Sequence, residues 1–91
     1  MTRMETPEIM MQSGNYTTIR IPGRAFPALA IQGDSLKLLQ LAVSELGAEL
    51  SRGNLDEATY AMNEVRNSLE DMVAVYEEAC LRAGQELPYT P

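Results

Sequence analysis

The stretch Glu49-Leu50-Ser51-Arg52-Gly53-Asn54-Leu55-Asp56-Glu57-Ala58 decides the architecture, because it closes one helix and opens another with only Gly53-Asn54-Leu55 between them. Glycine just past a helical run stops a helix, since it accepts the left-handed backbone that closes the last turn. Asn54 and Asp56 then offer side-chain oxygens to the free amides of a new helix, and acids in that first turn suit its dipole. A connection this short folds two helices back on each other as an antiparallel hairpin.

Upstream, Leu36, Leu39, Val43, Leu46 and Leu50 recur at spacings of 3, 4, 3 and 4, one stripe of a helix over Ser35–Arg52. Asp34 or Ser35 is the expected N-cap. Downstream, Ala58, Met62, Val65, Leu69, Met72, Tyr76, Ala79 and Ala83 repeat at 4, 3, 4, 3, 4, 3 and 4, which predicts a helix over Asp56–Ala83 with this seam buried. Gly84 caps its end and Pro88 prevents continuation. At ~1.5 Å per residue the second helix is about 42 Å long and the first about 27 Å. About ten residues therefore overhang, carrying Leu69, Met72, Val73, Tyr76 and Cys80, which call for cover by a sheet or a second subunit.

The first third reads as strands. Glu8-Ile9-Met10-Met11-Gln12 is a short apolar run closed by the turn formers Ser13-Gly14-Asn15. Tyr16-Thr17-Thr18-Ile19-Arg20-Ile21 alternates, with Thr17, Ile19 and Ile21 on one face and Tyr16, Thr18 and Arg20 on the other. Pro22-Gly23 has the form of a type II turn. Phe26–Gln32 is a third strand, apolar from Ala28 to Ile31 and expected to be covered on both faces, with Pro27 at a sheet edge or bulge. The expected fold is α+β, a three-stranded antiparallel sheet followed by a long antiparallel helical hairpin (βββαα). Residues 1–91 then form a single domain, with the sheet region in 1–33, the hairpin in 34–84 and a tail in 85–91.

Composition narrows the function. The chain of 91 residues contains no His and a single Cys, Cys80, so zinc sites of Cys and His and His-dependent triads are excluded, and no intramolecular disulfide forms. A fold of this size buries only about 60% of its unfolded surface, which leaves little for a deep catalytic cleft. No phosphate-binding glycine loop, EF-hand spacing or dinucleotide fingerprint occurs, so no cofactor is expected. Cys80 reads as packing, with only Arg82 close in sequence to lower its pKa. The start, Met1–Pro7, lacks signal-peptide order and no apolar run spans a bilayer, so cytoplasmic residence and no membrane partner are expected.

Charge is uneven, with a net +1 over residues 1–33 and −7 over residues 34–91, for −6 in total. An acidic surface repels phosphate backbones and attracts basic partners, so a protein partner is expected and nucleic acid is not. The candidate contact residues are Arg24, Asp34, Tyr60, Glu64, Glu70, Asp71, Glu77 and Glu78. Arg24 has the fork that grips a carboxylate or phosphate, although an arginine in an exposed turn needs no such role. Tyr60 falls beside Glu57, Glu64 and Asn67 on the polar face, where an exposed aromatic suits an interface anchor. The adjacent acids Glu70 and Asp71, and Glu77 and Glu78, diverge by about 100° on a helix. They therefore form a charged face and not a general acid/base pair.

The segments Ile21-Pro22-Gly23-Arg24-Ala25-Phe26-Pro27 and Ile31-Gln32-Gly33-Asp34-Ser35-Leu36 resemble a family of small uncharacterised bacterial proteins with a PGRxFP and QGDSL pattern. Proteins of that kind often resemble immunity proteins of bacterial toxin systems. Pro22-Gly23 and Gly33-Asp34 also look distantly like HicB-type antitoxins, but nine residues separate Gly23 from Gly33, longer than that family's usual gap. The resemblance implies a non-catalytic interaction protein of the immunity or antitoxin type, occluding a basic toxin with its acidic helical face or an uncovered sheet face. A homodimer is expected from the apolar surface that two unequal helices leave. The alternative is a small-molecule or regulatory domain with Arg24, Gln32, Asp34 and Ser35 at the strand ends. A carboxylate-using enzyme ranks last.

Overall fold

The computed structural model describes residues 6–91. The leader reading of Met1–Pro7 rests mainly on residues 1–5, which lie outside the described residues. The element order is β1 (Glu8–Ser13), β2 (Tyr16–Arg20), β3 (Ala28–Ile31), α1 (Gly33–Arg52) and α2 (Leu55–Ala83). The chain forms the expected α+β fold, a three-stranded antiparallel sheet followed by two helices in contact. It divides into two compact units, residues 6–31 with Met72–Pro91, and Gln32–Asp71.

In the sheet unit the strand order is β1-β2-β3, so β2 is central and β3 is an edge, where a neighbouring Pro27 costs no ladder bond. Ser13 pairs with Tyr16 across a two-residue turn, and the β1–β2 register slips between Ile9 and Met11 at a bulge. The Pro22-Gly23 turn forms as its residues predict. Gly23 takes φ 79° and the Arg24 amide donates to the Ile21 carbonyl at 3.2 Å, the type II arrangement.

The buried residue of β2 lies on the face of Tyr16, Thr18 and Arg20. Thr18 is 0% exposed, while Ile19 is only half-buried and its cross-strand partner Ile9 is exposed. Thr18 lies with Met72, Tyr76, Ala79 and Cys80, all buried, in the core of this unit. The Tyr76 hydroxyl donates to the Pro27 carbonyl at 2.8 Å, and the Arg20 guanidinium donates to Gln85 Oε1 at 2.9 Å. Of the overhang residues Met72, Tyr76 and Cys80 are thus covered, whereas Leu69 and Val73 are exposed. The expectation that β3 is covered on both faces fails at Ala30, which is exposed. Ile9, Ile19 and Ala28, aligned across the three strands, form an open apolar row.

In the helical unit Gly53 (φ 73°) closes α1 as expected. Its amide donates to Leu50 O at 3.1 Å and that of Asn54 to Glu49 O at 2.9 Å, a complete Schellman closure. Gly84 repeats the pattern on α2, with bonds to Leu81 O and from Gln85 to Cys80 O. Asn54 caps α2, its Oδ1 accepting from the Glu57 amide at 3.3 Å. The cap of α1 differs from expectation. The helix starts at Gly33 with Gln32 as N-cap and no side-chain cap bond, and Asp34 sits in the first turn, where its Oδ1 accepts from the Ser35 amide at 2.8 Å. A carboxylate there serves the same free amides and the dipole, so Asp34 acts one step inside the helix.

The seam between the helices also departs from expectation. In this unit Ala58 and Ala61 are buried on α2 and Val65 and Ser68 half-buried, whereas Met62 and Leu69, assigned to the seam from spacing, are exposed, as is Ala83 at the far end of α2. On α1 the half-buried residues are Ser35, Leu39, Ala42 and Leu46, with Glu49 buried, and Leu36, Val43 and Leu50 are exposed. Small residues let helix axes approach, so contact follows Ala42, Ala58 and Ala61 and leaves larger neighbours on the flanks.

Candidate docking groove on the helical hairpin

Two helical stripes face one flank of the hairpin. Leu38, Leu41, Ala42 and Glu45 on α1 and Glu57, Tyr60, Ala61 and Glu64 on α2 line a groove of about 300 Å³. Both sets have the spacing i, i+3, i+4, i+7, which puts four residues on one side of a helix. Ala42 and Ala61 form the floor because the helix contact passes through them. Leu38 and Leu41 are exposed, and Tyr60 is 66% exposed, so the ring presents most of its surface for contact.

Glu45, Glu57 and Glu64 rim this floor. Among the described residues none of the three is in an ion pair, the pairs being Arg20 with Glu8, Arg52 with Glu49 and Arg82 with Glu78. The groove therefore combines apolar floor and walls with three uncompensated carboxylates. Such a surface accepts an amphipathic helix whose apolar side fills the groove and whose flanking cations meet the rim.

Of the candidate residues, the structure brings Tyr60 and Glu64 together in this groove and adds Leu38, Leu41, Glu45 and Glu57, which sequence reasoning did not select as contacts. The signal for them was present in the matched spacing of 38, 41, 42, 45 and 57, 60, 61, 64, but the buried seam had to be known before that flank stood out.

The other candidates are placed elsewhere. Glu70 and Asp71 are exposed near the end of the helical unit. Glu77 Oε2 accepts from the Tyr89 hydroxyl at 3.0 Å, and Glu78 pairs with Arg82 at 2.8 Å, so both are engaged within the sheet unit. Arg24 is exposed at the end of its turn, in the sheet unit, whereas Asp34 belongs to the helical unit.

A family model matches residues 2–89, a span that holds both helices and every groove residue. The chain belongs to the family of unknown function DUF6959. No curated protein and no solved structure matches the chain. No helix among the described residues is long and apolar enough to cross a membrane.

Cys80 is a free, fully buried thiol whose pKa is raised, first by burial and against the opposing pull of the Tyr76 hydroxyl and the charge of Arg20. Burial likewise raises the Tyr76 phenol. A thiol held protonated and out of solvent is a poor nucleophile, in keeping with a packing role.

Proposed function

We propose that the chain is a non-catalytic protein-interaction domain that docks a basic amphipathic segment of a protein partner in the Tyr60 groove, as an immunity or antitoxin protein would to occlude a basic toxin. The observation that supports this reading is the pairing of an exposed aromatic and two exposed leucines with three unpaired carboxylates on one flank of the hairpin. Aromatic anchors in apolar pockets carry much of the energy of protein interfaces, and rim charges select the partner and speed its approach. A net charge of −6 adds a field that favours a cationic partner at long range.

The reading is tested by titrating a fluorescent Leu/Lys amphipathic helical peptide, with its Leu/Glu counterpart as control, and following anisotropy. The expected result is saturable binding of the basic peptide alone. Tyr60→Ala weakens it by about 2 kcal/mol, roughly thirtyfold. Absence of binding to the basic peptide, or equal binding of both peptides, contradicts the proposal. In a cell, co-expression is expected to rescue growth from a toxin encoded by a neighbouring gene, and Tyr60→Ala to abolish the rescue.

A further inference from the structure

The geometry points to a second copy of this chain as the occupant of the opposite flank of the hairpin. On that flank α1 carries Leu36, Val43 and Leu50, seven residues apart, and α2 carries Leu55, Met62 and Leu69, also seven apart. All six are between 40% and 68% exposed. Near the turn Leu50, Leu55 and Met62 line one groove of about 370 Å³. The antiparallel register of a tight hairpin continues the two rows in step, so the middle layer is Val43 with Met62 and the outer layer Leu36 with Leu69.

A row repeated every seven residues is filled best by a helix with the same repeat, because knobs then meet holes in every layer. This chain contains two such helices. Charge excludes the partner proposed for the other flank. At the turn end no carboxylate lines the groove, whose charged residue is Arg66, so a basic segment finds nothing there to pair with. The turn end of this flank thus offers a second copy, itself of net charge −6, an apolar surface without opposing carboxylates.

The size also fits. A face about 30 Å long and two helices, or about 20 Å, wide projects roughly 600 Å², of the order of the ~800 Å² per partner that stable complexes bury. A two-fold axis through the middle layer sets Val43 and Met62 of one copy against the same pair of the other and completes a four-helix bundle. This surface lies across the hairpin from the Tyr60 groove and does not depend on it.

The test is the mass of the full chain in solution by light scattering, with Val43→Glu and Val43→Lys as probes. Wild type is expected at twice its 10.1 kDa chain mass. Each variant alone is expected to weaken the dimer by about thirtyfold or more, with helix content by circular dichroism unchanged. An equimolar mixture of the two is expected to recover the dimer, since opposite charges then meet at the axis. If either variant loses helicity, Met62→Gln replaces it, with a weaker dimer expected and an unchanged dimer overturning the proposal. A monomeric wild type overturns it, as does dimerisation that survives both Val43 variants or is lost on Leu38→Glu instead.

Discussion

Thr18 shows how a single side chain sets the balance of the small sheet unit. Its Oγ1 is fully buried and has no hydrogen-bond partner among the described residues. A buried hydroxyl without a partner forfeits its hydration, a cost of about 1–3 kcal/mol. Thr18→Val keeps the β-branched shape and removes that cost, so we expect stabilisation of about 1 kcal/mol in urea denaturation; a marked loss of stability contradicts this. Tyr76 has the opposite sign. Its hydroxyl holds the carbonyl of buried Pro27, and Tyr76→Phe leaves that acceptor unpaired, for an expected loss of about 1–2 kcal/mol. Burial raises the pKa of both Tyr76 and Cys80, so the fold favours their protonated forms. That contribution is complete below their ordinary values, about 8.5 for a thiol and about 10 for a phenol, and is lost as pH rises through the higher folded values. Urea midpoints are therefore expected to fall at alkaline pH, and Cys80→Ala to delay the onset. Thr18 was readable as part of one face of an alternating strand, but not as the buried one, because the alternation gives no preference between the face of Tyr16, Thr18 and Arg20 and that of Thr17, Ile19 and Ile21. That choice belongs to the helix packed above it.

At the scale of elements, the stops and starts were legible and the packing face was not. Gly53, Asn54 and Gly84 act as their chemistry dictates, since caps depend on backbone conformation within a few residues. Gly53→Ala forces a side chain into left-handed backbone and is expected to cost about 1 kcal/mol, read from the thermal midpoint. The cap of α1 was expected at Asp34 or Ser35 and lies at Gln32, because a carboxylate serves the free amides from the first turn as well as from the cap. The seam was misread for a stronger reason. Apolar residues occupy two adjacent stripes of α2, one through Ala58, Ala61 and Val65 and another through Leu55, Met62 and Leu69, and spacing alone weights the larger side chains. Close packing of helices selects the smaller ones. The tail beyond α2 was read only as a tail, yet Tyr89 stacks on Tyr76 with ring centroids 6.4 Å apart and bonds Glu77. No local spacing connects those residues.

Viewed as a whole molecule, the chain places its polar and apolar surface in a pattern that a two-helix hairpin cannot satisfy internally. One flank has an acidic rim around Tyr60 and two leucines, the other an apolar double row whose groove near the turn holds no carboxylate. The net acidity read from composition foresaw a basic partner in kind but not in place, because Glu70, Asp71, Glu77 and Glu78 contribute to the same total as Glu45, Glu57 and Glu64. Charge-neutralising the groove rim with Glu45→Gln, Glu57→Gln and Glu64→Gln together is expected to remove most of the salt dependence of peptide binding while leaving the fold intact. The most direct measurement is an amide NMR titration of the labelled chain with the Leu/Lys peptide. Shifts strongest at Leu38, Leu41, Glu45, Glu57, Tyr60 and Glu64 are the predicted result. Shifts centred on Leu36, Leu50, Leu55 and Leu69, or on the open face of the sheet, contradict it.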